Sequence, residues 1–267
     1  MRLFLTAICI LFFINCSPSL GVEWESKGIN EKDAQGSVKQ KTRDPLNMAA
    51  ILYHRAQWSP AIKAATQALS KPLPLNSKIN MLELRSESYL NLNNNKQALC
   101  DIDQAIRLRS AVPMNRYLRR ANIETALQMH REAARDFSLV INRKIDKSDG
   151  IYTTIDDLYY RRASCLFKCG EFRKAISDYD FVLKMDPDSE EAFKLRGDCH
   201  GALGEFQLAV KDYTWAIEND TESPGTSYFA RSEVYEKMGN KMQAAADRKR
   251  ALELGFVPKN EKTKTSK

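Results

Sequence analysis

The chain has 267 residues, a formal net charge of +7, six cysteines and three histidines. His54, His130 and His200 are scattered too widely to build a nucleophile–base–acid set, and Cys199-His200 belongs to no recognised zinc spacing, so neither an enzyme nor a metal centre is expected and no cofactor is implied. The positive charge admits acidic partners, whereas nucleic acid is disfavoured because Tyr117 is the only stacking side chain near the densest arginine cluster.

Residues 3–14 form an almost unbroken apolar run after Arg2. A helix needs about 20 apolar residues to cross a bilayer, and this run is shorter. It fits a signal-peptide core of about 7–15 residues. Ser19 and Gly21 set small residues before Val22, which predicts a signal peptide over residues 1–21 and a chain that works outside the cytosol, periplasmic, extracellular or in a secretory lumen. The alternative is processing at Cys16, which would leave a lipid anchor as the chain's only tie to a membrane. Residues 22–41 are polar and charged, with Trp24 the single large apolar side chain, and read as a flexible leader.

From residue 42 the chain repeats itself. Tyr159, Arg162, Ala163, Gly170, Ala175, Asp178 and Tyr179 return 34 residues later as Phe193, Arg196, Gly197, Gly204, Ala209, Asp212 and Tyr213. A fixed period of this length marks a stacked repeat. In the same register six units begin near residues 42, 79, 114, 156, 190 and 225, giving a repeat region of 42–258 (units near 42–75, 79–112, 114–147, 156–189, 190–223 and 225–258). Each second half carries an alanine, at Ala61, Ala98, Ala133, Ala175, Ala209 and Ala244. A small or β-branched residue follows seven positions on, at Ala68, Ala105, Val140, Val182, Ala216 and Ala251. The first halves share Ala49, Ser86, Ala121, Ala163, Gly197 and Ser232. These spacings belong to helices that approach closely.

Gly170, Gly204 and Gly239 fall in the turn between paired helices, where a positive φ is needed. Ser59-Pro60 reads as the opening of a second helix, and Pro187 as the end of another. The fold class is therefore all-α, an α-solenoid of about six helix-turn-helix repeats. The period slips at Pro72-Leu73-Pro74 and again over residues 147–154, and residues 259–267 form a basic tail.

The register resembles the tetratricopeptide repeat family. Tyr159, Ala163, Ala175, Tyr179 and Pro187 fill its first aromatic, glycine, A-x3-F and proline positions, while Arg162 and Leu166 depart from its leucine and tyrosine. The departure is systematic. Arg85, Arg120, Arg162, Arg196 and Arg231 each have an aspartate 16 residues on, at Asp101, Asp136, Asp178, Asp212 and Asp247, which predicts framework ion pairs between the two helices of a repeat.

The resemblance implies a concave groove lined by first helices, and so a protein or peptide partner. Its positions fall on Glu83, Glu87, Leu90, Asn115, Leu118, Asn122, Thr125, Tyr160, Ser164, Phe167, Lys194 and Asp198. The two-carboxylate clamp of cytosolic co-chaperones in this family cannot be assembled, since Leu118 stands where its lysine would be. A separate basic patch is read at Arg107, Arg109, Arg116 and Arg119, next to Arg120. Cys165, Cys169 and Cys199 read as buried small hydrophobes. Asn219-Asp220-Thr221 is a glycosylation sequon. The function expected is a non-catalytic scaffold or adaptor acting outside the cytosol. The resemblance extends to small bacterial envelope lipoproteins built from such repeats, and the alternative is a lumenal or periplasmic holdase chaperone. Oligomeric state is not legible.

Overall fold

The computed structural model describes residues 44–109, 112–143, 153–220 and 222–257. The signal peptide, the leader, the Cys16 alternative, the tail and most of the 147–154 insertion lie outside these residues. The described residues form twelve α-helices and no strand. In chain order they are α1 (Pro45–His54), α2 (Trp58–Leu69), α3 (Leu75–Asn91), α4 (Asn95–Arg107), α5 (Met114–Ala126), α6 (His130–Asn142), α7 (Ile155–Lys168), α8 (Phe172–Met185), α9 (Glu190–Ala202), α10 (Phe206–Asn219), α11 (Gly225–Lys237) and α12 (Lys241–Glu253). No helix is long and apolar enough to cross a membrane among the described residues.

The helices group into two compact bodies, the first ending at Ile123 within α5 and the second running from Glu124 through α12. In the first body α1 packs on α2 and α3 on α4; in the second α7 packs on α8, α9 on α10 and α11 on α12. The all-α fold of helix-turn-helix repeats is the one expected from the sequence.

The small residues do what their spacing required. All three series are buried without exception, including Ala61, Ala98, Ala133, Ala175 and Ala209 at 0% exposure. A methyl group at these points lets helix axes come within about 8–10 Å, and a leucine at Ala175 would cost about 1–3 kcal/mol by overpacking. Gly197 meets a tighter limit. A Cβ added there would lie 3.0 Å from the Tyr213 ring, because α9 and α10 touch at that point.

The hairpin turns share one backbone device. Gly170, Gly204 and Gly239 have φ of +76°, +76° and +80°, as the sequence predicted. The equivalent residues of the other three turns, Ala56, Asn93 and Gln128, take the same conformation at +55°, +59° and +62° without being glycine. Helix openings differ from expectation in one place. Ser59 does not cap α2; the helix begins at Trp58 after Gln57, so Ser59-Pro60 lies inside the first turn. Proline is tolerated there because the first four backbone N–H groups of a helix have no partner in any case. A capping side chain followed by proline occurs instead at α1, where Asp44 accepts from the Leu46 N–H at 3.3 Å before Pro45. α8 stops at Met185, just before Pro187.

The Arg–Asp series forms a repeated fork. Arg85, Arg162, Arg196 and Arg231 each donate through Nε and Nη2 to both carboxylate oxygens of Asp101, Asp178, Asp212 and Asp247, at 2.7–2.9 Å. The remaining nitrogen, Nη1, reaches back to the preceding repeat. Arg85 donates to Thr66 (3.0 Å) and Arg120 to Asp103 (2.9 Å); Arg162 reaches Ser138 (3.1 Å), Arg196 Asp180 (2.7 Å) and Arg231 Thr214 (2.8 Å). One planar guanidinium thus ties two helices of its own hairpin and one of its neighbour, a task that suits a rigid five-donor fork. Two of the forks also lie over aromatic stacks. Tyr159 stacks on Phe181 with the Arg162 guanidinium 5.0 Å from the Tyr159 ring, and Phe193 stacks on Trp215 with Arg196 at 5.1 Å from Phe193.

Candidate protein-binding face

In each body the first helices of adjacent hairpins run side by side, α1 by α3 in the first and α7 by α9 by α11 in the second. α3, α7 and α9, together with α5, carry the groove residues read from the sequence, and the two bodies use them differently.

In the first body the carboxylates are engaged internally. Glu83 is buried and ion-paired to Arg116, itself buried. Glu87 accepts from the Tyr53 hydroxyl and pairs with Arg119. A ladder of opposite charge therefore runs across α1, α3 and α5, flanked by half-buried Leu90, Asn115 and Leu118 and by exposed Asn122. The same contacts redistribute the basic patch. Arg116 and Arg119 serve Glu83 and Glu87, Arg120 serves Asp103, and Arg107 and Arg109 remain exposed, with Arg107 at 4.0 Å from Asp103.

The second body presents a different surface. Tyr160 on α7 is half-buried, its ring edge-on to Tyr179 at 6.0 Å. Burial, then the Glu191 and Asp157 carboxylates, push its hydroxyl up to about 12. Phe167, one end of the same helix, sits edge-on to Phe172 at 5.5 Å beneath the Lys168 ammonium. Ser164 lies half-buried between them, and Thr125 touches the Cys165 sulfur at 3.5 Å. On α9, Lys194 lies 3.9 Å from Glu191, and Asp198 accepts from the Tyr213 hydroxyl at 2.6 Å. Burial is the main cause that raises the Asp198 carboxyl above the ordinary carboxylate range. Behind this face the Tyr179 hydroxyl is buried with no hydrogen-bond partner among the described residues. Asp157 pairs with Arg161 at 2.8 Å, and Lys194 and Lys168 both act on Asp198, so the surface is aromatic with charges of both signs, Glu191 being its exposed carboxylate.

The sequence reading omitted Tyr53 and Glu191, although both were within its reach. Tyr53 holds the register slot of Leu90, and Glu191 that of Asn115. The Cys199-His200 pair has a framework explanation. Cys199 is buried and its thiol is pushed up to about 12 by that burial, while His200 Nδ1 is bonded to Glu205 at 2.7 Å across the hairpin turn. No group of three ligating side chains that could hold a metal gathers among the described residues.

Comparison with known proteins points the same way as the repeat register. Residues 157–189 match the family model for the tetratricopeptide repeat. No curated protein sequence gives a match. Among solved structures, the chain is similar to MamA residues 41–end from Desulfovibrio magneticus RS-1, at 16% identity and a TM-score of 0.57, covering 67% of this chain and 95% of that one. It is also similar to YrrB, described as a TPR protein with an unusual peptide-binding site, at 18% identity and a TM-score of 0.54, covering 72% and 93%. A crystal structure of MamA gives 17% identity and 0.53, covering 64% and 94%. At these identities the likeness is one of fold: the hairpins are tetratricopeptide-type hairpins.

Proposed function

We propose that the chain is a non-catalytic scaffold that binds an extended peptide segment of a partner protein on the first-helix face of its second body. One observation carries the reading: α7 and α9 present half-buried Tyr160 and Phe167 beside the exposed carboxylate of Glu191, which lies 3.9 Å from Lys194. Aromatic side chains give contact area at low entropic cost, and the exposed Glu191 carboxylate favours a peptide bearing lysine or arginine. The matching face of the first body is occupied by its own ion pairs, which leaves it less charge to offer a partner.

The same reading places the chain outside the cytosol, supported by the apolar run of residues 3–14 and the small residues before Val22, with lipid attachment at Cys16 as the alternative end of the mature chain. Mass spectrometry of the N-terminal peptide from the native host separates the two. A peptide starting at Val22 means plain secretion, a lipidated Cys16 means anchoring, and an intact Met1 or Arg2 overturns export.

The binding reading is tested with a peptide array probed by wild type and by a Phe167→Ala/Glu191→Lys variant of equal helicity. Retention of a restricted set of basic peptides by the wild type, lost in the variant, supports a specific adaptor. Retention of unrelated apolar peptides by both assigns a holdase instead, and no retention by the wild type overturns the peptide-binding role.

A further inference from the structure

In the second body, residues of α6, α7, α8 and the turn at Glu171 line an open cavity of about 860 Å3 in which cations outnumber carboxylates. Arg131, Arg135, Arg162 and Lys174 line it against two carboxylates, Glu171 and Asp178. Both carboxylates are already committed. Asp178 is gripped by the Arg162 fork, and Glu171 accepts from the Lys174 ammonium at 2.6 Å, which holds its carboxyl below the usual range. Arg131 and Arg135 are exposed, and no carboxylate lies within ion-pairing distance of either among the described residues. They stand one turn apart on a single helix face, an arrangement in which like charges repel.

The repeat supplies an internal control. Arg173 occupies in the next hairpin the slot that Arg131 occupies in this one, and Glu205 the slot of Glu171. There the two meet, Arg173 Nη2 to Glu205 Oε1 at 3.2 Å. In the α6–α8 cavity the corresponding pair is not made, because Lys174 has taken Glu171. Leu208 stands in the slot of Lys174 in the next hairpin and leaves Glu205 free for its arginine. No other repeat has arginine at both the Arg131 and the Arg135 slots. The cavity therefore combines two guanidiniums that no ion pair occupies, Arg131 acting on Glu171 only from beyond pairing distance, with the Ser177 hydroxyl among its lining groups and enough room for a polyatomic anion.

We propose that this cavity is a binding site for a tetrahedral oxyanion carried as an ester, phosphate or sulfate, held by Arg131 and Arg135 with Lys174 keeping Glu171 away. Guanidinium forks match such oxygens in paired hydrogen bonds. The site is separate from the peptide-binding face and does not depend on it.

The test is calorimetric titration of the intact chain with O-phosphoserine and, separately, with inorganic sulfate, at constant ionic strength set by chloride. The expected result is saturable one-to-one binding of at least one anion, weakened about tenfold or more in Arg131→Gln/Arg135→Gln, in keeping with loss of charge-assisted hydrogen bonds, and unchanged in Arg173→Gln. Tighter binding of phosphoserine assigns a phosphate ester, and tighter binding of sulfate a sulfate ester. Lys174→Gln releases Glu171 toward Arg131 and weakens binding, whereas Glu171→Gln strengthens it. All substituted side chains are surface groups, and equal circular dichroism confirms that each variant folds. No saturable binding of either anion by the wild type, or the same affinity in the double arginine variant, overturns the proposal.

Discussion

Arg162 sets its Nε and Nη2 against the two carboxylate oxygens of Asp178, each at 2.7 Å, and gives its third nitrogen to Ser138 one hairpin earlier. The aspartate is nearly buried, with 6% of its side chain exposed against 17% for the arginine. Arg162→Ala leaves a buried, unpaired carboxylate. The full cost of such a loss is about 3–5 kcal/mol when both groups are buried, and the remaining solvent access of Arg162 brings it to roughly 2–4 kcal/mol. Arg162→Lys keeps the charge but not the fork and recovers only part of that loss. Urea denaturation of the three proteins measures both, and an unchanged midpoint for Arg162→Ala would show that the fork contributes nothing.

The turn residues predict a gain in stability. Ala56 and Gln128 hold a left-handed backbone that their glycine counterparts adopt without a steric cost. A non-glycine residue in that conformation loses about 1–2 kcal/mol, from which glycine's greater freedom in the unfolded chain must be subtracted. Gln128→Gly is expected to stabilise by up to about 1 kcal/mol and Gly204→Ala to destabilise by a similar amount. Thermal melts that moved in the reverse directions would contradict this.

Asp198 makes the pH behaviour of the second body unusual. Its folded carboxyl titrates above the ordinary carboxylate range, so between the unfolded and folded values the native chain binds the extra proton. Stability contributed by this group is thus greatest in acid and falls as pH rises through the folded value. Asp198→Asn keeps a side-chain carbonyl to accept from Tyr213 and removes the charge. The variant is expected to melt at least as high as wild type at pH 7.5, with its advantage disappearing as the pH drops below the ordinary carboxylate range. A variant uniformly less stable by the same margin from pH 3 to 8 would rule out the protonation account.

Thiol chemistry should separate the described cysteines by depth. Cys100 is exposed on α4, Cys165 and Cys199 are buried, and burial pushes both of the latter thiols up, Cys199 to about 12. Thiolates are the reactive form. Iodoacetamide at pH 7.5 is expected to modify Cys100 in the native chain and to reach Cys165 and Cys199 only after denaturation, as peptide mapping would report. Rapid native labelling of Cys199 would refute its placement.

Much of the fold was legible because the period fixes so many positions at once. The buried alanines at Ala61 and Ala175, the positive φ at Gly170 and the pairing of Arg162 with Asp178 all follow from register plus side-chain size or charge. Register carried less where chemistry allows several partners. Glu83 and Glu87 were correctly placed on first helices, but a sequence slot does not say that Arg116 and Arg119 of the next first helix will reach them. The turn at Gln128 was hidden because glutamine carries no signal for a left-handed backbone. The backward reach of each arginine was also missed, although an oxygen-bearing side chain stands two residues beyond every aspartate slot that faces a following arginine: Thr66, Asp103, Ser138, Asp180 and Thr214.

That backward reach gives the repeats a polarity that an engineer would meet at once. A hairpin copied from α9–α10 and inserted after itself would find Thr214 waiting to accept from its arginine. The same hairpin grafted behind α12 would not, because the residue two beyond Asp247 is Lys249. Its arginine would face an ammonium in place of an acceptor. Lengthening this protein from within is therefore chemically open, whereas adding to it after the sixth hairpin first requires a new side chain at position 249.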